Sequence, residues 1–224
     1  MAARIGVVLF PGSNCELDAM EAVRDLGGDA EILWHGDSTV ASVDAVIVPG
    51  GFAHGDYLRP GAIARFSPVM DAVRSFADSG GPVVGICNGF QVLTEAGMLP
   101  GALQKNAGLK FLCTTTTLRV ETTSTPLTSA ASVGDELRIP INHFEGNYTC
   151  DPETLAELRG DDRVVVRYVE NPNGSVDDIA GVCNEGRNVV GLMPHPERAC
   201  HPLVGSTDGV VLLRSLLATA GAPA

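Results

Sequence analysis

The 224-residue chain is 45% hydrophobic and 19% charged, an ordinary globular balance with enough length for one sizeable α/β core. Its formal net charge of −12 argues against a nucleic-acid surface or an anionic membrane as partner, and no apolar run reaches the length of a membrane helix. Six cysteines without a C-x-x-C pair, on a chain whose first apolar run is cut by Pro11 and Gly12, read as reduced thiols of a cytoplasmic protein.

The opening "RIGVVLF" is a strand pattern, and "CELDAMEAVRDLGG" is an amphipathic helix closed by glycine. "AEILW" and "AVIVPGG" follow as strands, "FSPVMDAVRSFADSGG" carries a helix, and "PVVGI" is a short buried strand. This alternation predicts an α/β fold: an open, doubly wound, mainly parallel sheet with helices on both faces. The second half changes character. "LKFLCTTTTLRVETTS", "ELRIPINHFEG", "VVVRYVE" and "DIAGVCN" predict an additional antiparallel strand section, "NVVGLMPHPE" continues the strand pattern, and "DGVVLLRSLLATAG" closes with a helix. With no linker, repeat or low-complexity tract, residues 1–224 read as a single domain. The strand ends "FPGSN", "VPGGF" and "GICNG" should open onto one edge, where ligand chemistry gathers in such sheets.

Cys87 stands on a predicted strand-to-helix turn between Gly85 and Gly89. That is G-x-C-x-G, the cysteine form of the nucleophile elbow, and the following helix directs its N-terminal N–H groups at the sulfur. A small buried cysteine beside a turn is equally an ordinary packing residue. A thiol nucleophile needs a proton shuttle and an orienting group. His195, in "GLMPHPER", lies between two prolines that predict an extended segment, and alternation would then place Glu197 beside it. Cys87, His195 and Glu197 make a coherent triad, although His-Pro-Glu alone could be a rigid turn with an ion pair to Arg198. The N–H groups of Gly51 and Asn88 would supply a two-donor oxyanion hole. The dipeptide Gly-Lys never occurs and no G-x-G-x-x-G follows a strand, so nucleotide chemistry must come from another chain. With no H-E-x-x-H either, no metal site is expected.

The stretches "GICNGFQ" and "PHPE" resemble the class I (triad) glutamine amidotransferases, which have a flavodoxin-like sheet. "FPGSNCELD", "GGFAHGDYLRPGAIA", "PGALQKNAGLKFLC", "HFEGNY", "NPNGS" and "MPHPERACHPLVGSTDG" narrow the resemblance to the glutaminase subunits of phosphoribosylformylglycinamidine synthases, over nearly the whole chain. The resemblance implies a purine-biosynthetic enzyme in which Cys87 attacks the side-chain amide of glutamine and His195 protonates the departing ammonia. It also implies that Gln91 shapes the glutamine pocket and that His143, Phe144 and Glu145 form a substrate-side loop. The implied partners are a synthetase subunit, which holds ATP and Mg²⁺, and a small accessory subunit; no cofactor is implied in this chain. Service to another synthetase, and stand-alone cysteine amide hydrolysis, are the competing readings. His54 stands where the family suggests an aromatic such as tyrosine, and Phe144 where glycine is common.

Overall fold

The structure, a computed structural model, describes residues 2–40 and 42–221. Nine strands form one sheet in the order β2-β1-β3-β4-β11-β10-β9-β6-β7. Its first half is parallel: β1 (Arg4–Leu9) lies between β2 (Asp29–Trp34) and β3 (Ala45–Val48), and β4 (Val83–Ile86) lies between β3 and β11 (Val189–Leu192). From β11 onward every pairing is antiparallel, through β10 (Ile179–Cys183), β9 (Val164–Tyr168), β6 (Leu112–Val120) and β7 (Glu136–His143). The predicted parallel and antiparallel sections are therefore two halves of one continuous sheet.

Burial explains why the halves read differently in sequence. All four residues of β3, β4 and β11 are buried, as strands covered on both faces must be. On β7 buried positions alternate with more exposed ones, the signature of a sheet with one solvated face. The helix α1 (Glu16–Asp25) connects β1 to β2, and α2 (Pro68–Asp78) connects β3 to β4 in the opposite direction along the sheet. Right-handed crossovers then put the two helices on opposite faces. The strand order reverses between β1 and β3, and the crevice beyond their carboxyl ends is where such sheets bind ligands. The helix α3 (Asn88–Glu95) packs on β3, β4 and β11, while α5 (Gly209–Ala220) packs with α1.

Four elements depart from the sequence reading. A short antiparallel pair, β5 (Ala102–Gln104) with β8 (Asn147–Thr149), stands apart from the main sheet. The helix α4 (Pro152–Gly160) falls in a stretch whose pattern predicts no element. The segment after His195 is not extended: Pro196–Ala199 is a 3₁₀ turn with His195 at its N-cap. Pro196 takes the first helical position, where its missing N–H removes no bond and its fixed φ favours the turn.

Candidate active site

Cys87 caps α3 at φ 51°, ψ −105°, a conformation that non-glycine residues adopt only when the surroundings enforce it. Two contacts do so here. The Cys87 N–H donates to the Leu192 carbonyl on β11 at 2.8 Å, and the Gln91 N–H donates back to the Cys87 carbonyl at 3.2 Å. The helix can approach the sheet this closely only because position 89 lacks a side chain, since a Cβ there would lie 1.8 Å from the Val48 oxygen. The Cys87 Sγ rests 3.6 Å from the Asn142 carbonyl oxygen.

His195 comes from the adjacent strand end. Register pairs Ile86 with Leu192, so β4 and β11 deliver Cys87 and His195 to the same edge. The His195 N–H donates to the Pro140 carbonyl of β7 at 2.9 Å, which anchors the turn from its other side. The His195 Nδ1 lies 2.6 Å from the Glu197 Oε1, with both side chains about 1% exposed. Glu197 therefore meets His195 as expected, but through the 3₁₀ turn. Arg198 does not compete for it, because its guanidinium donates to Asp18 at 2.9 Å and to the Cys15 sulfur at 3.2 Å. Burial pushes the His195 imidazolium towards neutrality, but Glu197 and then Cys87 outweigh it and raise the ring to about 10. A histidine so held keeps its proton through neutral pH, ready for a leaving group. Its Nε2 is buried with no partner among the described residues.

One cavity collects most of the remaining candidates. Its walls include Gly51, Cys87, Gln91, His143, Phe144, Glu145 and His195. Gly51 sits at φ +138° in the loop after β3. Asn88 opens α3, so its N–H has no carbonyl one turn earlier to bind. The Asn88 side chain lies behind the cavity as a brace: its Oδ1 accepts from the Ala53 N–H, and its Nδ2 donates to Asp56 and to the Gln91 Oε1. Gln91 passes the connection on, donating to the Glu145 carbonyl at 2.6 Å. His143 is clamped by buried Asn106, whose Oδ1 lies 3.1 Å from its Nδ1, and burial with His195 nearby lowers it to about 4. It is neutral at physiological pH. The Phe144 ring lies at the rim, with the Lys105 ammonium 5.9 Å from its centroid. His54 faces away from this chemistry and fills an aromatic's place, 6.0 Å from the Phe10 ring and edge-on to His35.

Sequence reasoning missed two residues of this site. Cys15, at the start of α1, lines the cavity, and burial followed by the nearby Glu197 pushes its thiol up to about 12. Asp56, in the loop after β3, lines it as well. Cys15 directly follows the strand-end segment "FPGSN", and Asp56 lies four residues beyond "VPGGF".

The sequence model of the CobB/CobQ-like glutamine amidotransferase domain matches residues 2–208, and the chain belongs to that family. Among its relatives is the phosphoribosylformylglycinamidine synthase subunit PurQ of Rubrobacter xylanophilus, 61% identical over 97% of this chain and 99% of that one. The corresponding subunit PurQ of Koribacter versatilis is 54% identical over 96% of this chain and 97% of that one. A chain of the PurLQS structure from Thermotoga maritima superposes with a TM-score of 0.90 at 43% identity, covering 97% of this chain and 99% of that chain. No helix among the described residues is long and apolar enough to cross a membrane.

Proposed function

We propose that this chain is the glutaminase subunit of a cytoplasmic phosphoribosylformylglycinamidine synthase, working as one amidotransferase domain with Cys87, His195 and Glu197 as its triad. The supporting observation is the meeting of a thiol on a strained strand-to-helix turn with a buried imidazole–carboxylate pair at the ends of neighbouring strands. Cys87 Sγ forms a bond to the side-chain carboxamide carbon of glutamine. The carbonyl electron pair moves onto oxygen, where the Gly51 and Asn88 N–H groups receive the negative charge. His195 gives its proton to the amide nitrogen as the C–N bond breaks, releasing ammonia and leaving a γ-glutamyl thioester. Neutral His195 then takes a proton from water, hydroxide adds to the thioester carbon, and glutamate departs as the thiolate re-forms. Glu197 keeps the ring oriented and stabilises its charged form.

The ammonia passes to a synthetase subunit, where ATP and Mg²⁺ are bound and formylglycinamide ribonucleotide becomes its amidine with release of ADP and phosphate. A small accessory subunit completes the assembly. Gln91 and the segment His143–Glu145 line the glutamine pocket and no cofactor is needed in this chain. The test is amidine formation with the synthetase and accessory subunits and ATP present, with glutamine or an ammonium salt as nitrogen donor. Cys87→Ala should abolish turnover on glutamine and leave turnover on ammonia intact. Failure of the unsubstituted chain to support glutamine-driven turnover would overturn the assignment.

A further inference from the structure

We propose that Asp56, assisted by Glu145, receives the α-ammonium group of the substrate amino acid and so selects glutamine from other carboxamides. The inference deepens the proposed glutaminase function and rests on it.

Among the described residues no lysine or arginine lines the cavity that holds Cys87 and His195, whereas Asp56 and Glu145 both do. His143, on the same wall, is held neutral by burial and by His195, so it brings no compensating charge. Burial first, then Glu145, raises the Asp56 carboxyl to about 6, against a lowering by its bond from Asn88. The His195 imidazolium on this wall is paired with Glu197, and Lys105 approaches Glu145 from the Phe144 rim, so neither serves Asp56; a cationic ligand group there relieves both its desolvation and its repulsion by Glu145. The buried Nε2 atoms of His143 and His195, without partners among the described residues, mark the same cavity as one completed by a polar ligand.

Placement decides which cation fits. The Asp56 Oδ1 accepts from the Asn88 Nδ2 at 3.1 Å, and Asn88 is the residue after the nucleophile. The carboxylate is thus pinned close to the reacting thiol, within reach of an amino acid whose side-chain carboxamide sits at Cys87. The Gln91 Oε1, held 2.8 Å from the same Asn88 Nδ2, stands beside it as a neutral acceptor. Among the described residues, nothing donates to the Asp56 Oδ2. A carboxylate with one oxygen braced and the other open is suited to a charged N–H donor from the ligand.

The test compares L-glutamine with glutaramate, which is glutamine without its α-amino group, using the complete synthase. In the unsubstituted enzyme kcat/KM should favour glutamine by at least a hundredfold. Asp56→Asn, which keeps the shape and can still accept from Asn88, should raise KM for glutamine at least tenfold and change kcat less than threefold. The preference over glutaramate should fall at least tenfold, and Glu145→Gln should move it the same way by less. A parallel loss on both substrates, or an unchanged KM for glutamine, would overturn the proposal. Calorimetric binding of both compounds to synthase carrying Cys87→Ala, with and without Asp56→Asn, decides the same point without turnover. An enzyme that releases no ammonia from glutamine but binds it through Asp56 would count against the proposed function alone.

Discussion

The ring of His195 occupies space that Gly50 leaves open: a Cβ on Gly50 would stand 2.7 Å from the His195 Cε1 and 3.1 Å from the Cys15 sulfur. The glycine is therefore required by its neighbour and not by its own backbone. Gly50→Ala should displace the imidazole by a fraction of an ångström and lower kcat for glutamine by about 10- to 100-fold. Steady-state glutaminase kinetics with a thermal melt check this, since a variant that unfolds instead of slowing would refute the steric account.

Glu197 is expected to act through His195 alone. Glu197→Gln should keep the fold and cost roughly 10²- to 10⁴-fold in kcat, because the amide can hold the ring but cannot balance its charge. The same pair has a signature in stability. His195 titrates near 10 in the folded protein against an ordinary 6.5, so its stabilisation is complete below pH 6.5 and is lost as pH rises towards 10. Urea unfolding between pH 7 and 10 should show a shallower decline in Glu197→Gln than in the unsubstituted chain.

His143 predicts the opposite trend on the acid side. It titrates near 4 when folded and near 6.5 when unfolded, so the unfolded chain binds the extra proton between those values and stability falls as pH drops through them. Asp56, raised to about 6, works against this over part of the same range. The diagnostic is thus a difference: His143→Gln should lose less stability than the unsubstituted chain between pH 6.5 and 4 in matched urea titrations.

Gly89 tests the packing beneath the elbow. A methyl group there meets the Val48 carbonyl, which is backbone and cannot rotate away. Gly89→Ala should cost about 2–3 kcal/mol and lower the melting temperature by roughly 5–10 °C. It should also reduce glutaminase activity, because Gly51 belongs to the loop that β3 carries.

The parallel strands were legible because burial on both faces leaves uninterrupted apolar runs such as "AVIV" and "PVVGI". The helix α4 gives no periodic signal, although Asp151 caps it by accepting from the Thr154 N–H at 2.8 Å and Pro152 takes its first position. Its weakness as a signal is physical, for Leu158 is its one buried residue and no apolar stripe forms. The convergence of Cys87, His195 and Glu197 was legible because their neighbours carry turn and strand chemistry. Asp56 and Cys15 could not, because their proximity to the thiol depends on how the β1 and β3 loops fold over one another. The 3₁₀ turn at Pro196 also eluded pattern reading, since proline is compatible with both an extended segment and a helix start.

Cys87 and His195 follow the ends of neighbouring strands whose alignment is fixed rung by rung, with Gly85 opposite Gly191 and Ile86 opposite Leu192. A strand cannot slide by a small amount: its smallest slip is one residue, about 3.3 Å, and it turns every side chain to the other face. The strand ends that carry thiol and imidazole are thus held in register by the hydrogen-bond ladder, and sub-ångström adjustment is confined to the short turns beyond them. The loops above the sheet are under no such restriction. Substrate preference and partner fit can drift there while the strands beneath Cys87 and His195 keep their register.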